Sequence, residues 1–243
     1  MDENGQQYPP NSEAARLAAR IQHTIISNAL TREMWKDHIA ECREYRFHAA
    51  MVPPAWVALT AQALRNTGIR VASFIDFPYG TMTSGVKAHE AQQLVAAGAQ
   101  EIDLMPNVGF LLSGMEREYF DDIHRVVVAA GNVPVKIMLE LPLLNPTQRE
   151  RAIALSIEAG VAYLKNASGG AVGTATPEDM LFLRRLAPPN VRIKASGGIK
   201  TAAQVRDLLL AGADLVGTSS AVRIIQEVLW QPQADSSSSP SNY

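Results

Sequence analysis

Two stretches decide how this chain is read: Tyr163–Gly173 is YLKNASGGAVG, and Arg192–Lys200 is RIKASGGIK. In each, a short apolar run ends on a lysine, and small residues with paired glycines follow at once. Outward from this pair, similar runs recur at Arg20–Ile25, Phe47–Val52, Arg70–Phe77, Glu101–Met105, Val133–Leu139, Val161–Lys165, Val191–Ala195 and Asp214–Gly217. Between most of them lie segments with apolar residues at helical spacing: Ser84–Ala97, Tyr119–Ala130, Thr147–Ala159, Pro177–Leu186 and Thr201–Ala211. Several close on AAGA, AAGN, EAGVA or LAGAD, which places glycine at the left-handed position after a helix.

Strands that alternate with helices pair in parallel, because each crossover helix returns the chain to the same edge. Eight such runs predict an α/β fold of the closed (β/α)8 TIM barrel type. The alternative is an open doubly wound sheet, which announces itself by a glycine-rich fingerprint after its first strand; none occurs here. A chain of 243 residues suits one barrel with tails. The expected organisation is a disordered segment over 1–14, the barrel over 15–230, and a disordered serine-rich tail over 231–243.

Hydrophobic residues make up 47% and charged residues 19%, a balance that supports a large interior. The net charge of -2, without a basic block, gives no support to nucleic acid or a membrane surface as partner. No apolar run approaches the length of a membrane span. The polar start MDENGQQYPPNSEAA lacks the pattern of a secretory signal, so a cytoplasmic location is expected and the Asn166 sequon carries no weight. The single cysteine, Cys42, allows no internal disulfide, has no zinc-site spacing, and reads as a buried bystander.

In such barrels the chemistry sits where strands end and βα loops begin. That directs attention to His23, Asp76, Asp103, Glu140, Lys165 and Lys194. Lys165 and Lys194 end neighbouring strands. Crowding and burial both disfavour the doubly protonated pair, so one amine should have a depressed pKa, as a Schiff-base lysine requires. Asp103, in QEIDLMPN, faces the same mouth and can orient a lysine or move a proton. Lys87 and Lys136 read as ion-paired structural lysines, and Asp76 and Glu140 as weaker candidates.

The loops after the seventh and eighth runs read ASGGI and GTSSAV. Barrels often hold phosphate between these two loops, where small residues expose backbone N–H groups and a helix N-terminus adds a favourable field. Ser219 and Ser220 add hydroxyl donors; ordinary helix capping is the competing reading.

The ordered set FPYGTMTSGVKAHEA, GAQEIDLMPNVGFLLSG, VKIMLE, LKNASGG, ATPED, KASGGIK and GTSS resembles the deoxyribose-phosphate aldolase family from about Ala18 to Ile225. The resemblance implies a (β/α)8 class I aldolase that needs no metal or organic cofactor. Such an enzyme reversibly cleaves 2-deoxy-D-ribose 5-phosphate to acetaldehyde and D-glyceraldehyde 3-phosphate. Its partners are therefore a small phosphorylated sugar and an aldehyde, with a homodimer as the expected assembly. It implies Lys165 as the Schiff-base nucleophile, Lys194 as the lysine that lowers its pKa, and Asp103 as the proton-handling carboxylate. Gly197, Gly198, Ser219 and Ser220 would fall around the phosphate, with Ser168 and Gly169 as further substrate-binding positions.

Four positions depart from the family pattern. Asn166 and Ala167 stand where KTSTG would place threonine and serine, Met51 where a cysteine is common, and Gln22 where DHT would place an acid. Gln22 cannot ionise, so the acid's part in holding the lysine pair would be lost. Alternatives are a Schiff-base aldolase with another small phosphorylated substrate, or a catalytically silent barrel that binds a sugar phosphate or a protein partner. A cofactor-free sugar-phosphate isomerase shares the barrel, but the paired lysines weigh against it.

Overall fold

A computed structural model describes residues 8–169 and 171–230. The tail expected over 231–243, and the first seven residues of the segment expected over 1–14, lie outside the described residues. Eight strands run in chain order: β1 (Ile21–Thr24), β2 (Ala49–Met51), β3 (Arg70–Ile75), β4 (Glu101–Leu104), β5 (Val135–Met138), β6 (Tyr163–Lys165), β7 (Arg192–Ser196) and β8 (Leu215–Thr218). Each pairs in parallel with the next, and β8 returns to β1, closing the barrel. The helices are α1 (Glu13–Ala18), α2 (Arg32–Glu44), α3 (Val57–Ala63), α4 (Ser84–Ala96), α5 (Val108–Leu112), α6 (Glu116–Ala130), α7 (Pro146–Glu158), α8 (Pro177–Leu186), α9 (Ala202–Leu210) and α10 (Ala221–Leu229).

Local chemistry sets the boundaries. Asn145 with Gln148 and Thr201 with Gln204 form reciprocal capping boxes at the starts of α7 and α9. Thr176 caps α8 by accepting from the Asp179 N–H. Gly98 and Gly160 follow α4 and α7 at φ +101° and +92°, a region that costs other residues strain. Within the segment placed ahead of the barrel, Tyr8 is buried and its phenol donates to the Tyr45 carbonyl. The Arg206 guanidinium donates to Glu13 over 2.6 Å, so α1 is tied to the helix layer.

Strands β4 and β5 alternate apolar and charged residues although both of their faces are buried. Along β4, Ile102 and Leu104 face the helices, while Glu101 and Asp103 face the lumen; β5 and β7 repeat this with Lys136 and Lys194. The hydrophobic core therefore lies between barrel and helices. Inside the barrel, the apolar part is a small cluster of Ala49, Met51 and Ala72 with Phe74. Around it the lumen carries Glu101, Asp103, Lys136, Lys165 and Lys194, together with the neutral Gln22 and Met138.

Candidate active site

Strand register builds this charged lumen. Lys165 on β6 pairs with Lys194 on β7, and Asp103 on β4 pairs with Lys136 on β5. Register partners point to one side of the sheet, so these groups share the interior. Lys165 Nζ lies 2.9 Å and Lys194 Nζ 2.6 Å from the same oxygen, Asp103 Oδ2. Asp103 Oδ1 lies 3.6 Å from Lys136 Nζ and has no hydrogen bond. Lys136 in turn lies 2.7 Å from Glu101 Oε2, deeper in the barrel. Gly217 on β8 makes room: a Cβ there would sit 2.9 Å from Lys194 Cε.

The lumen thus sets three lysine side chains against two carboxylates, so full protonation of all three would leave positive charge in excess. Burial pushes the Asp103 carboxyl up, but Lys165, Lys194 and Lys136 overcome this and hold it well below the usual carboxylate range. Burial drives the Lys194 ammonium down; Asp103 pulls it back up, Lys165 and Lys136 push it down again, and the result is about 7. An amine of this pair exchanges its proton near neutrality.

Gln22, which cannot ionise, still holds the pair. Its amide oxygen accepts from Lys194 Nζ, and its amide nitrogen donates to Glu101. The side chain bridges the two ionic clusters without adding charge. The other departures are also accommodated. Asn166 binds the β7 end twice, donating to the Ser196 carbonyl over 3.0 Å and accepting from its N–H over 2.9 Å. The Ala167 carbonyl accepts from the Ser196 hydroxyl. Met51 lines the cavity.

That cavity, about 260 Å³, opens at the carboxyl ends of the strands. Lys165 and Lys194 lie in its wall with Asp103, and Lys165 is the more exposed lysine at 6% against 1%. The residues expected around an anion all contribute to the lining: Ser168, Gly169, Gly197, Gly198, Ser219 and Ser220. Gly197 and Gly198 adopt φ +106° and +66°, and a Cβ at Gly197 would strike the Gly173 carbonyl oxygen at 2.2 Å. Ser220 begins α10 without a side-chain capping bond, so helix capping does not occupy its hydroxyl. Phe74, Phe77 and Met138 give the cavity an apolar side. Lys200, a further lining cation, was missed in the sequence because it lies beyond the glycines rather than at a strand end.

The remaining strand-end groups serve the loops. Asp76 and Glu140 sit in left-handed conformations, φ +54° and +52°. Asp76 accepts from the Met82 N–H over 2.7 Å, and Glu140 from the Ser168 N–H over 2.5 Å. Burial raises the Glu140 carboxyl, against the pull of Ser168 and Lys165. His23 points out of the barrel toward α2.

A parallel eight-stranded barrel with a lysine pair, a carboxylate and a small-residue rim at the strands' carboxyl ends defines an enzyme-type (β/α)8 architecture. Comparison with known proteins then identifies the family. A family model described as DeoC/LacD family aldolase matches residues 39–221, and the chain belongs to that family. A deoxyribose-phosphate aldolase from Bacillus cereus is 38% identical over 210 residues, covering 86% of this chain and 94% of its own length. One from Bacillus anthracis gives the same figures. Among solved structures, the deoxyribose phosphate aldolase of Aeropyrum pernix, described as a unique tetramer, superposes with a TM-score of 0.81. It is 30% identical and covers 88% of this chain and 91% of its own. An aldolase named QR15 gives a TM-score of 0.83 at 27% identity, with coverages of 88% and 96%. Among the described residues, no helix is long and apolar enough to cross a membrane.

Proposed function

We propose that this chain is a class I aldolase that reversibly cleaves 2-deoxy-D-ribose 5-phosphate to acetaldehyde and D-glyceraldehyde 3-phosphate. The observation that carries the reading is the convergence of Lys165 and Lys194 on one oxygen of Asp103 in the wall of a cavity rimmed by small residues. Lys165, the more exposed amine, is the nucleophile. It hands its proton across the shared carboxylate to Lys194, whose pKa of about 7 makes it an acceptor at neutral pH. Neutral Lys165 adds to the substrate carbonyl; loss of water gives an iminium ion that withdraws electrons from the adjacent carbon. Cleavage of the next C–C bond releases glyceraldehyde 3-phosphate and leaves an enamine on Lys165. Protonation of that enamine and hydrolysis release acetaldehyde and restore the amine. Asp103, held as a carboxylate by the lysines around it, orients both amines and relays the protons.

Backbone N–H groups at Gly197 and Gly198, the hydroxyls of Ser219 and Ser220, and the α10 N-terminus receive the phosphate, with Ser168 and Gly169 at the rim. The apolar side formed by Phe74 and Met138 suits a sugar that lacks its 2-hydroxyl. The reaction requires no cofactor, and the reading includes a cytoplasmic location and a homodimer; sedimentation tests the assembly. Borohydride reduction in the presence of acetaldehyde, followed by peptide mass mapping, tests the chemistry. A stable ethyl adduct on Lys165 is expected. Its absence in protein that still binds a phosphorylated ligand would favour the silent, sugar-phosphate-binding barrel instead.

A further inference from the structure

Behind the charged lumen, on the outer side of β1, lies a second cluster of titratable groups. The pleat that turns Gln22 and Thr24 inward turns His23 out against α2. On α2, His38 and Glu41 are three residues apart and so share a helix face. The His23 and His38 ring centroids are 4.3 Å apart, and His23 Nε2 lies 2.7 Å from Glu41 Oε2. One ligand atom from each of His23, His38 and Glu41 lies within 4.8 Å of the other two. Both histidines are buried, at 5% and 3% exposure, whereas Glu41 sits at the rim and opens the cluster to solvent.

Two features of this cluster are unlike ordinary core packing. His23 Nδ1 is buried without a hydrogen-bond partner, a state that native interiors rarely tolerate. A second buried imidazole, His38, packs against the first, with the ring centroids 4.3 Å apart. Two imidazoles and one carboxylate whose ligand atoms lie within 4.8 Å of one another form a donor set for a borderline divalent metal. Cys42, 3.9 Å from His38 Nε2, is buried beside the cluster and is not needed as a ligand.

We propose that His23, His38 and Glu41 bind one divalent transition-metal ion of the zinc class, with water completing its coordination. A hydrogen bond joins His23 Nε2 to Glu41. The incoming cation replaces that bond: Glu41 turns its carboxylate to the metal, each imidazole donates a ring-nitrogen lone pair, and any displaced proton leaves to solvent. The ion clamps β1 to α2. It therefore stiffens the strand that carries Gln22, which holds Lys194, and Thr24, which lines the cavity, while taking no part in the aldol step.

The test uses the full chain, stripped of metal and titrated with Co2+. One equivalent should produce saturable visible d–d bands, Zn2+ should displace them, and Zn2+ should raise the melting temperature. Glu41→Gln, at the solvent rim, should leave the circular dichroism unchanged and weaken Co2+ affinity at least tenfold. His38→Gln should remove the bands. The proposal is overturned if uptake never saturates. Equal affinity and spectra in wild type and Glu41→Gln would likewise reveal an adventitious ion only. These readouts do not depend on the aldolase reading, because borohydride trapping of the metal-stripped protein reports on Lys165 separately.

Discussion

Lys87 and Lys194 are both enclosed by the protein, yet they are held in opposite ways. The Lys87 ammonium donates to the carbonyls of Gly80 and Met105, at 3.0 and 3.1 Å, and to Asp122 at 2.7 Å, with Asp76 3.3 Å away. Its donors are matched, and two carboxylates surround one cation. Lys194 instead shares Asp103 with Lys165 in a lumen where lysines outnumber carboxylates. Both lysines are buried, so burial alone does not distinguish them; the balance of charge around each does. The first arrangement staples the β3–α4 loop. The second supplies an amine that changes protonation near neutrality.

The comparison breaks most sharply at Lys165. Lys165→Leu should lower kcat by about 10⁵-fold or more, as expected on removing a covalent nucleophile, while the fold survives by circular dichroism. Activity within tenfold of wild type would place the nucleophile elsewhere. Lys87→Met should do the reverse. Leaving Asp122 and Asp76 buried without their cation costs about 3–5 kcal/mol in denaturant unfolding, with turnover per folded molecule little changed. A variant as stable as wild type would show that the staple carries no energy.

Smaller effects sharpen the same contrast. Ser219→Ala combined with Ser220→Ala should raise KM for the phosphorylated sugar about tenfold, the effect of losing one or two charge-assisted hydrogen bonds, with kcat nearly kept. An equal loss with an unphosphorylated substrate would move the phosphate site away from α10. The pH profile tests the charge count with two opposite signs. Lys194 sheds its proton through about pH 7, so kcat/KM should rise across that range. Asp103 pulls that pKa up, so the limb remaining in Asp103→Asn should move to lower pH. Gln22→Asp adds a carboxylate beside Lys194 and should move the limb to higher pH. Movement in the same direction in both variants would sink the account.

Much of the fold was legible. Runs that end before helices, and glycines such as Gly98 and Gly160 after them, predicted strand order and closure, because chain reversal and helix termination are local events. Lys165, Lys194 and Asp103 drew attention as charged residues within or at the end of apolar runs; Lys194 lies in mid-strand, and the pleat turns all three into the interior. The contact of Gln22 with Lys194 was not, since it joins residues on β1 and β7 that meet only after closure. The loss of hold expected from a neutral side chain there overlooked that an amide can accept from one partner while donating to another. Lys136 read as a structural lysine, and its tie to Glu101 agrees with that, but its 3.6 Å approach to Asp103 also makes it part of the charge balance.

The sequence by itself determined how strands and helices follow one another, and which runs carry the lysines, the carboxylate and the small residues beyond them. Only the tertiary structure decided that three lysines meet two carboxylates in the lumen, and that burial, with Lys165 and Lys136 beside it, lowers the Lys194 pKa. The reason is physical: electrostatic energies depend on separation and burial in space, and the groups that set them come from β1, β4, β5, β6 and β7, brought together by register alone.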